Sequence, residues 1–430
     1  MSAIIMAQAI MFITLILMVI GRTPLYLTAI IGSTLAALTV GIPLYGGEGV
    51  SIAKLVINGL NPVLADMTGI LLFIGIMHKT GFLSVIIRDV IKLGNYVGGG
   101  PGIITAASIA AGFIGMMVGF TQAVITGVIA GPAALKLGVK PDPAAGALQH
   151  ANILGCGAGF AHPTQVAIIT MTGVGFGMVN VYGAITAAAV MVLAYWRMHK
   201  DVIASGTLQK YSAEEMEKIL KEFESHSSHI SSITAIIPFA ILVIGFVLKM
   251  PIFIVGFFAS LITILLAKIN PTEGEKAMVD GVQKIAVPLV ATICFLYMSG
   301  VINNIGIAAL LSEWLKPGLD TAPILLLFGI SLLTGIITQS YSASAAIILP
   351  FLDIVLKAGG HPMLAAVAAI SGGNLGQYFL TGGPVSGLST VTPVVQGSSL
   401  LLANRFQRPN IAFSWLVALF LLITLGYIYQ

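Results

Sequence analysis

The chain has 430 residues, of which 57% are apolar and 8% charged, with a formal net charge of +4 and a mean hydropathy of +1.01. Ordinary soluble domains carry roughly a quarter charged residues. Twenty basic and 16 acidic side chains cannot clothe a globule of this size, which excludes a soluble enzyme, a disordered chain and a nucleic-acid binder. A polytopic all-helical membrane protein remains, because a β-barrel would alternate instead of running apolar. Cys156 and Cys294 lie inside apolar runs, so neither a disulfide framework nor a CxxC metal site is available.

In chain order, the first apolar run, residues 3–20, lacks the positively charged start of a signal peptide and reads as a first span. Spans follow at 25–44 and 62–78, then an amphipathic stretch at 82–94 with Phe82, Val85, Ile86 and Val90 on one face. Gly98-Gly-Gly-Pro101 breaks the chain. Two apolar pieces, 102–118 and 123–136, are joined only by Gly119-Phe-Thr-Gln122, which carries no charge to hold it among headgroups. The spacing predicts a re-entrant hairpin whose tip lies at membrane depth, surrounded by protein or a watery cavity. The apolar stretch 143–175 is interrupted at Gly155-Cys-Gly-Ala-Gly-Phe-Ala-His-Pro163, where three glycines and a proline forbid continuous helix. A span at 177–196 closes this unit. The polar stretch 197–232 follows, with Met216, Ile219, Leu220 and Phe223 on one helical face, and reads as a solvated connecting helix on the membrane surface.

The second half repeats the first at an offset of about 217 to 227 residues. Gly59 matches Gly281, Thr121-Gln122 matches Thr338-Gln339, Pro132 matches Pro350, and Asn152 with Pro163 matches Asn374 with Pro384. The second hairpin tip is Thr338-Gln-Ser-Tyr-Ser342, and the second break runs from Gly372 to Pro384. Five crossings and one non-crossing hairpin per unit make an odd number, so the second unit enters the membrane inverted. With the 197–232 linker cytoplasmic, only Lys54, Lys249, Lys316 and Lys357 of the 20 basic residues fall outside, as the positive-inside rule requires. Ten spans, two hairpins and both termini outside are expected.

Inverted repeats with paired broken helices are the pattern of secondary transporters, whose site lies at the midplane. Half-helix N-termini suit anionic substrate groups, and unwound carbonyls and hydroxyls beside them suit Na⁺. The candidate substrate residues are Thr121, Gln122, Asn152, His162, Thr164, Thr338, Gln339, Ser340, Asn374, Gln377 and Thr381. The candidate Na⁺ ligands, by side chain or carbonyl, are Thr121, Asn152, Gly155, Gly157, Thr338, Ser342, Asn374 and Gly376. Hydroxyls at the tips have a second use, bonding to their own turn, and Gln165 and Tyr378 have one in helix packing. His162 is a carboxylate-binding or proton-carrying candidate, with His150 the second proton candidate. Asp66 alone among the 16 acids is placed near membrane depth, which tilts against a carboxylate proton relay. All five arginines fall at inside-facing positions, so an anion here is expected to be held by dipoles and hydroxyls. No Walker A, HExxH or strand-borne GxGxxG pattern supports catalysis or ATP-driven transport, so no enzyme and no cofactor beyond Na⁺ or H⁺ is expected.

Phe73-Ile-Gly-Ile-Met-His-Lys-Thr-Gly81, the Thr121-Gln122 tip followed by Pro132, and Gly138-Val-Lys-Pro-Asp-Pro leading to the His162-Pro163 break resemble the ion transporter superfamily. That group includes divalent-anion/Na⁺ symporters, gluconate and citrate permeases, C4-dicarboxylate carriers and TRAP large subunits. The resemblance implies an elevator carrier of the inner membrane, usually a homodimer. It implies scaffolds at 1–97 and 233–317, moving parts at 98–196 and 318–430, and the 197–232 linker between the repeats 1–196 and 233–430. Where carboxylate-binding members carry a Ser-Asn-Thr type motif, this chain reads Thr-Gln and Thr-Gln-Ser. The expected function is symport of a small organic anion, a carboxylate or sugar acid, coupled to Na⁺ or H⁺. The alternatives are a TRAP-type large subunit, needing a small membrane subunit and a periplasmic binding protein, and a cation/proton antiporter.

Overall fold

The computed structural model describes residues 2–20, 25–44, 49–52, 54–55, 63–118, 123–221, 230–248, 250, 252–283, 286–380 and 387–429. Nineteen helices and no strand are found among them. The first half contains α1 (Ala3–Ile20), α2 (Leu25–Thr39), α3 (Val63–Lys79), α4 (Phe82–Val118), α5 (Ala123–Lys136), α6 (Pro141–Gly157), α7 (Pro163–Thr172) and α8 (Met178–Ala204). The linker holds α9 (Ala213–Lys221). The second half contains α10 (Ser232–Val247), α11 (Ile252–Ala267), α12 (Pro271–Gln283), α13 (Ala286–Asn304), α14 (Ile307–Thr321), α15 (Pro323–Thr338), α16 (Tyr341–Lys357), α17 (Pro362–Gln377), α18 (Gly387–Val391) and α19 (Leu400–Ile428).

By length and apolar composition α1, α4, α8 and α19 reach the size of a membrane span. Four further apolar helices of 10–17 residues, within α3, α10, α11 and α15, are shorter than a lone span. The length of α4 is deceptive. Gly98 (φ −146°, ψ 16°) and Gly99 (φ 56°, ψ −131°) leave the helical region, so α4 is an amphipathic arm followed by a hairpin leg, as the glycine-proline break predicts. At the matching place in the second half Ala322 (φ −154°, ψ 67°) leaves the helical region between the arm α14 and the hairpin leg α15, which starts at Pro323.

Large apolar side chains such as Ile13 and Ile16 on α1 and Leu416 and Phe420 on α19 point outward, while Ala7, Met11 and Met18 face the interior. Such a surface is stable only against lipid. Glycine seams pack the helices, since without a hydrophobic drive between apolar helices close backbone approach supplies the contact energy. Gly75 of α3 faces the Ala277 carbonyl and Gly281 of α12, and Gly256 of α11 faces Gly69 of α3. A helix of the first half is thus clasped by two of the second. Two matching seams join hairpin legs to the helices before the breaks. A Cβ on Gly112 would stand 2.9 Å from the Ala151 oxygen, and one on Gly335 would stand 2.6 Å from the Gly373 oxygen.

The linker departs from the sequence expectation. Met216 and Leu220 are buried in a core cluster with Leu137, Met198 and Val202, so α9 docks on the protein instead of lying solvated. The approach to α9 is pinned to the arm and hairpin of the first half. Asn95 Nδ2 donates to the Tyr211 carbonyl at 3.0 Å and the Tyr211 amide donates to Asn95 Oδ1 at 3.1 Å. The Tyr211 hydroxyl donates to the Ala133 carbonyl at 2.9 Å.

Candidate functional site

Both helices that precede a break start with proline in the first turn, α6 at Pro141 and α17 at Pro362, where a missing N–H costs nothing. Their C-terminal turns touch. Asn374 Nδ2 donates to the Ile153 carbonyl at 2.8 Å, and only a glycine at 157 leaves room for that amide. Within each helix a second amide supports the first. Gln377 Nε2 donates to Asn374 Oδ1 at 3.2 Å, and Asn152 Nδ2 donates to Gln149 Oε1 at 2.7 Å.

An unwound segment leaves carbonyls without helical partners, and buried orphans are costly. The last long helix of each half supplies most of the donors. Asn180 of α8 donates to the carbonyls of Ala158 and Gly159 at 3.0 and 2.8 Å, and Gln165 of α7 donates to that of Gly157 at 3.2 Å. In the second half Gln407 donates to the Tyr378 carbonyl at 2.7 Å and Arg408 Nε to that of Phe379 at 3.1 Å. An arginine therefore reaches a break. Arg197 likewise turns inward, to the Phe406 carbonyl and Asn410 Oδ1 at 2.6 and 2.7 Å.

At the second hairpin tip Gln339 adopts the left-handed conformation (φ 50°) that closes α15. Ser340 caps α16 by accepting from the Ala343 amide at 3.2 Å, and the Thr338 hydroxyl donates to the Ser340 carbonyl at 3.0 Å. Both hydroxyls are engaged by their own turn. The tip is held from two sides: the Tyr341 amide donates to Gln377 Oε1 at 2.9 Å, and the Thr164 hydroxyl donates to the Tyr341 carbonyl at 3.0 Å. The His162 ring stacks on Tyr341 with centroids 4.7 Å apart. The N-termini of α7 and α16, one from each half, thus meet.

Beside this junction Gln149, Gln339, Gln377, Tyr378, Leu380, Leu388 and Gln407 enclose a cavity of about 10 Å³, room for one water. Among the described residues no charged side chain lines it. Gln149 Nε2 and Gln407 Oε1 are buried there without a hydrogen-bond partner. Nearby, Asn152 Oδ1, His162 Nδ1 and both ring nitrogens of His150 are also buried and unpartnered.

Of the expected residues, Asn152, His162, Thr164, Thr338, Gln339, Ser340, Asn374 and Gln377 are brought together at this meeting of the two halves. Ser342 stands in the first turn of α16. Gly155 packs against Gly115, and Gly376 against Leu332 and Gly335. Thr121, Gln122, Thr381 and Asp66 lie outside the residues whose side chains are described. Gln149, Asn180, Gln407 and Arg408 were not foreseen. The one sequence signal for the last three is a polar side chain inside the last apolar span of each unit, at comparable places.

No family model and no curated protein matches the chain. Among solved structures, the YdaH transporter of Alcanivorax borkumensis superposes with a TM-score of 0.61 over 87% of this chain and 88% of that one, at 16% identity. The chain has the fold of a membrane transporter. At this identity the likeness is one of fold. An all-helical, multi-pass membrane protein is established on that ground and on the apolar helices.

Proposed function

We propose that this chain is a secondary active transporter of a small organic acid, present in solution as its anion, with Na⁺ or H⁺ as coupling ion. One observation carries the reading: two broken helices and a hairpin tip, drawn from both halves, close on a single buried polar cavity. Broken helices facing each other across a repeat interface suit a site reached alternately from either side. The free Asn152 Oδ1 and the Thr338 region are the ion ligands this reading uses, and His162 its proton carrier.

An elevator motion of 98–196 and 318–430 against scaffolds at 1–97 and 233–317 fits the same geometry. Where the two parts meet, the Thr292 hydroxyl of α13 donates to the Pro163 carbonyl at 3.3 Å. A homodimer in the inner membrane, with both termini outside and the linker in the cytoplasm, completes the proposal. Reconstitution of the chain alone into proteoliposomes tests it. Labelled organic acids should accumulate under an imposed Na⁺ or pH gradient. Failure of every acid under both gradients would overturn the reading.

A further inference from the structure

The linker does more than join the two halves. Helix α8 ends in a left-handed turn at Gly206 (φ 68°), where the Gly206 and Thr207 amides donate to the Ile203 and Val202 carbonyls at 3.0 and 3.1 Å. Residues 207–212 then run back over the first half as a strap. Their path is marked by two glycines with positive φ. A Cβ on Gly138 (φ 86°), in the turn before α6, would overlap the Thr207 hydroxyl, and one on Gly99 (φ 56°) would overlap the Gln209 carbonyl. Each glycine therefore serves its own turn and also leaves room for the strap.

The strap is fastened on both sides of the interruption in α4. On the arm side Asn95 binds the Tyr211 amide and carbonyl, and Lys210 Nζ donates to the Tyr96 carbonyl at 2.5 Å while lying over the Tyr96 ring. The orientation of the Asn95 amide is fixed, because it meets a backbone donor and a backbone acceptor at once. On the hairpin side the Tyr211 hydroxyl reaches the Ala133 carbonyl, and α9 buries Met216 and Leu220 with Leu137, Met198 and Val202. Between the two sets of contacts stand Gly98 and Gly99, where the backbone leaves the helix. A joint that turns is made of a few such residues.

Arm and leg also touch directly, Gly94 facing the Gly102 carbonyl and Ile91 sharing a core with Ile103 and Ile104. Two segments that never part need no fastening from a third. Resting on the reading that 98–196 moves against 1–97, we propose that the strap is a latch across the Gly98–Gly99 joint. It holds arm and hairpin together in this conformation and releases the arm when the moving part travels. The arm side is the one that parts, since it holds by polar contacts alone while the hairpin side is held by buried apolar side chains.

The test makes the latch permanent. In protein with Cys156 and Cys294 replaced by alanine, Asn95→Cys and Tyr211→Cys would be joined by a short bifunctional methanethiosulfonate, which dithiothreitol removes. Uptake of a panel of organic acids in proteoliposomes should fall by about tenfold or more on linking and return on reduction, with no loss of melting temperature. A strap that is only a brace would leave uptake unchanged when fixed. Spin labels at Leu93 on the arm and Val128 on α5, both exposed, read the same joint without substrate. One distance is expected with the strap intact and a second population in Asn95→Ala. Linked protein that transports at the reduced protein's rate, or a single unaltered distance in Asn95→Ala, would overturn the latch and leave the transporter reading standing. Uptake of no acid by the reduced protein would instead remove the reading on which the latch rests.

Discussion

Asn374 is the residue on which the two halves depend most directly. Its amide reaches the Ile153 carbonyl across 221 positions of sequence, and its oxygen receives Gln377. Asn374→Ala would leave a buried carbonyl and a buried amide unpaired, a loss of about 1–3 kcal/mol. Melting in detergent should fall by several degrees and uptake by tenfold or more, while Asn374→Gln should not restore either, because Gly157 leaves no extra room. Gly183 makes a second close approach, since a Cβ there would overlap the Gly157 carbonyl. Gly183→Ala should destabilise by about 1–3 kcal/mol through overpacking, read as reduced melting temperature with membrane insertion unchanged. The asparagine pair was legible because both members recur at one offset. The partners of the broken carbonyls were not. Asn180, Gln407 and Arg408 sit inside apolar helices, where hydropathy averages them away.

Among the elements, the hairpin tip and the linker show how a local pattern acquires a partner. The tip residues Thr338 and Ser340 read equally well as ligands or as turn formers, and in the structure they bond within their own turn. Helix α9 begins with a capping box, the Ser212 amide donating to the Glu215 carboxylate at 2.9 Å and the Glu215 amide to the Ser212 hydroxyl at 3.2 Å. These bonds hold the exposed Glu215 carboxyl below its ordinary value of 4.5. A lowered carboxyl contributes stability above its unfolded pKa and loses it as pH falls through the folded one. Amide hydrogen exchange over 213–221 should therefore be protected at neutral pH and loosen as pH falls below about 4.5. Glu215→Gln should remove that dependence; protection that stays level through this range in the native chain would contradict it.

For the whole molecule, the proposed topology has its two halves inverted in the membrane. Lys140 before α6 and Lys357 at the end of α16 are both exposed, and the proposed topology puts them on opposite faces of the membrane. With Cys156 and Cys294 replaced by alanine, a single cysteine at position 140 should react with an impermeant maleimide from one side. A single cysteine at 357 should react from the other; reaction of both from the same side would end the inverted arrangement.

By itself, the amino-acid sequence determined that this is a helical membrane protein, that it is duplicated, and that each unit is interrupted at Gly98–Pro101 and Gly155–Pro163. These are properties of composition and local backbone chemistry, summed over windows, and they hold wherever the segments come to lie. Only the tertiary structure decided which side chains close the breaks, that Gln149, Gln339, Gln377 and Gln407 share one cavity, and that the linker helix is docked. Each of those depends on a donor meeting an acceptor from a helix remote in sequence. No period or propensity records such a meeting, because it is made by the packing of glycine seams and not by either segment alone.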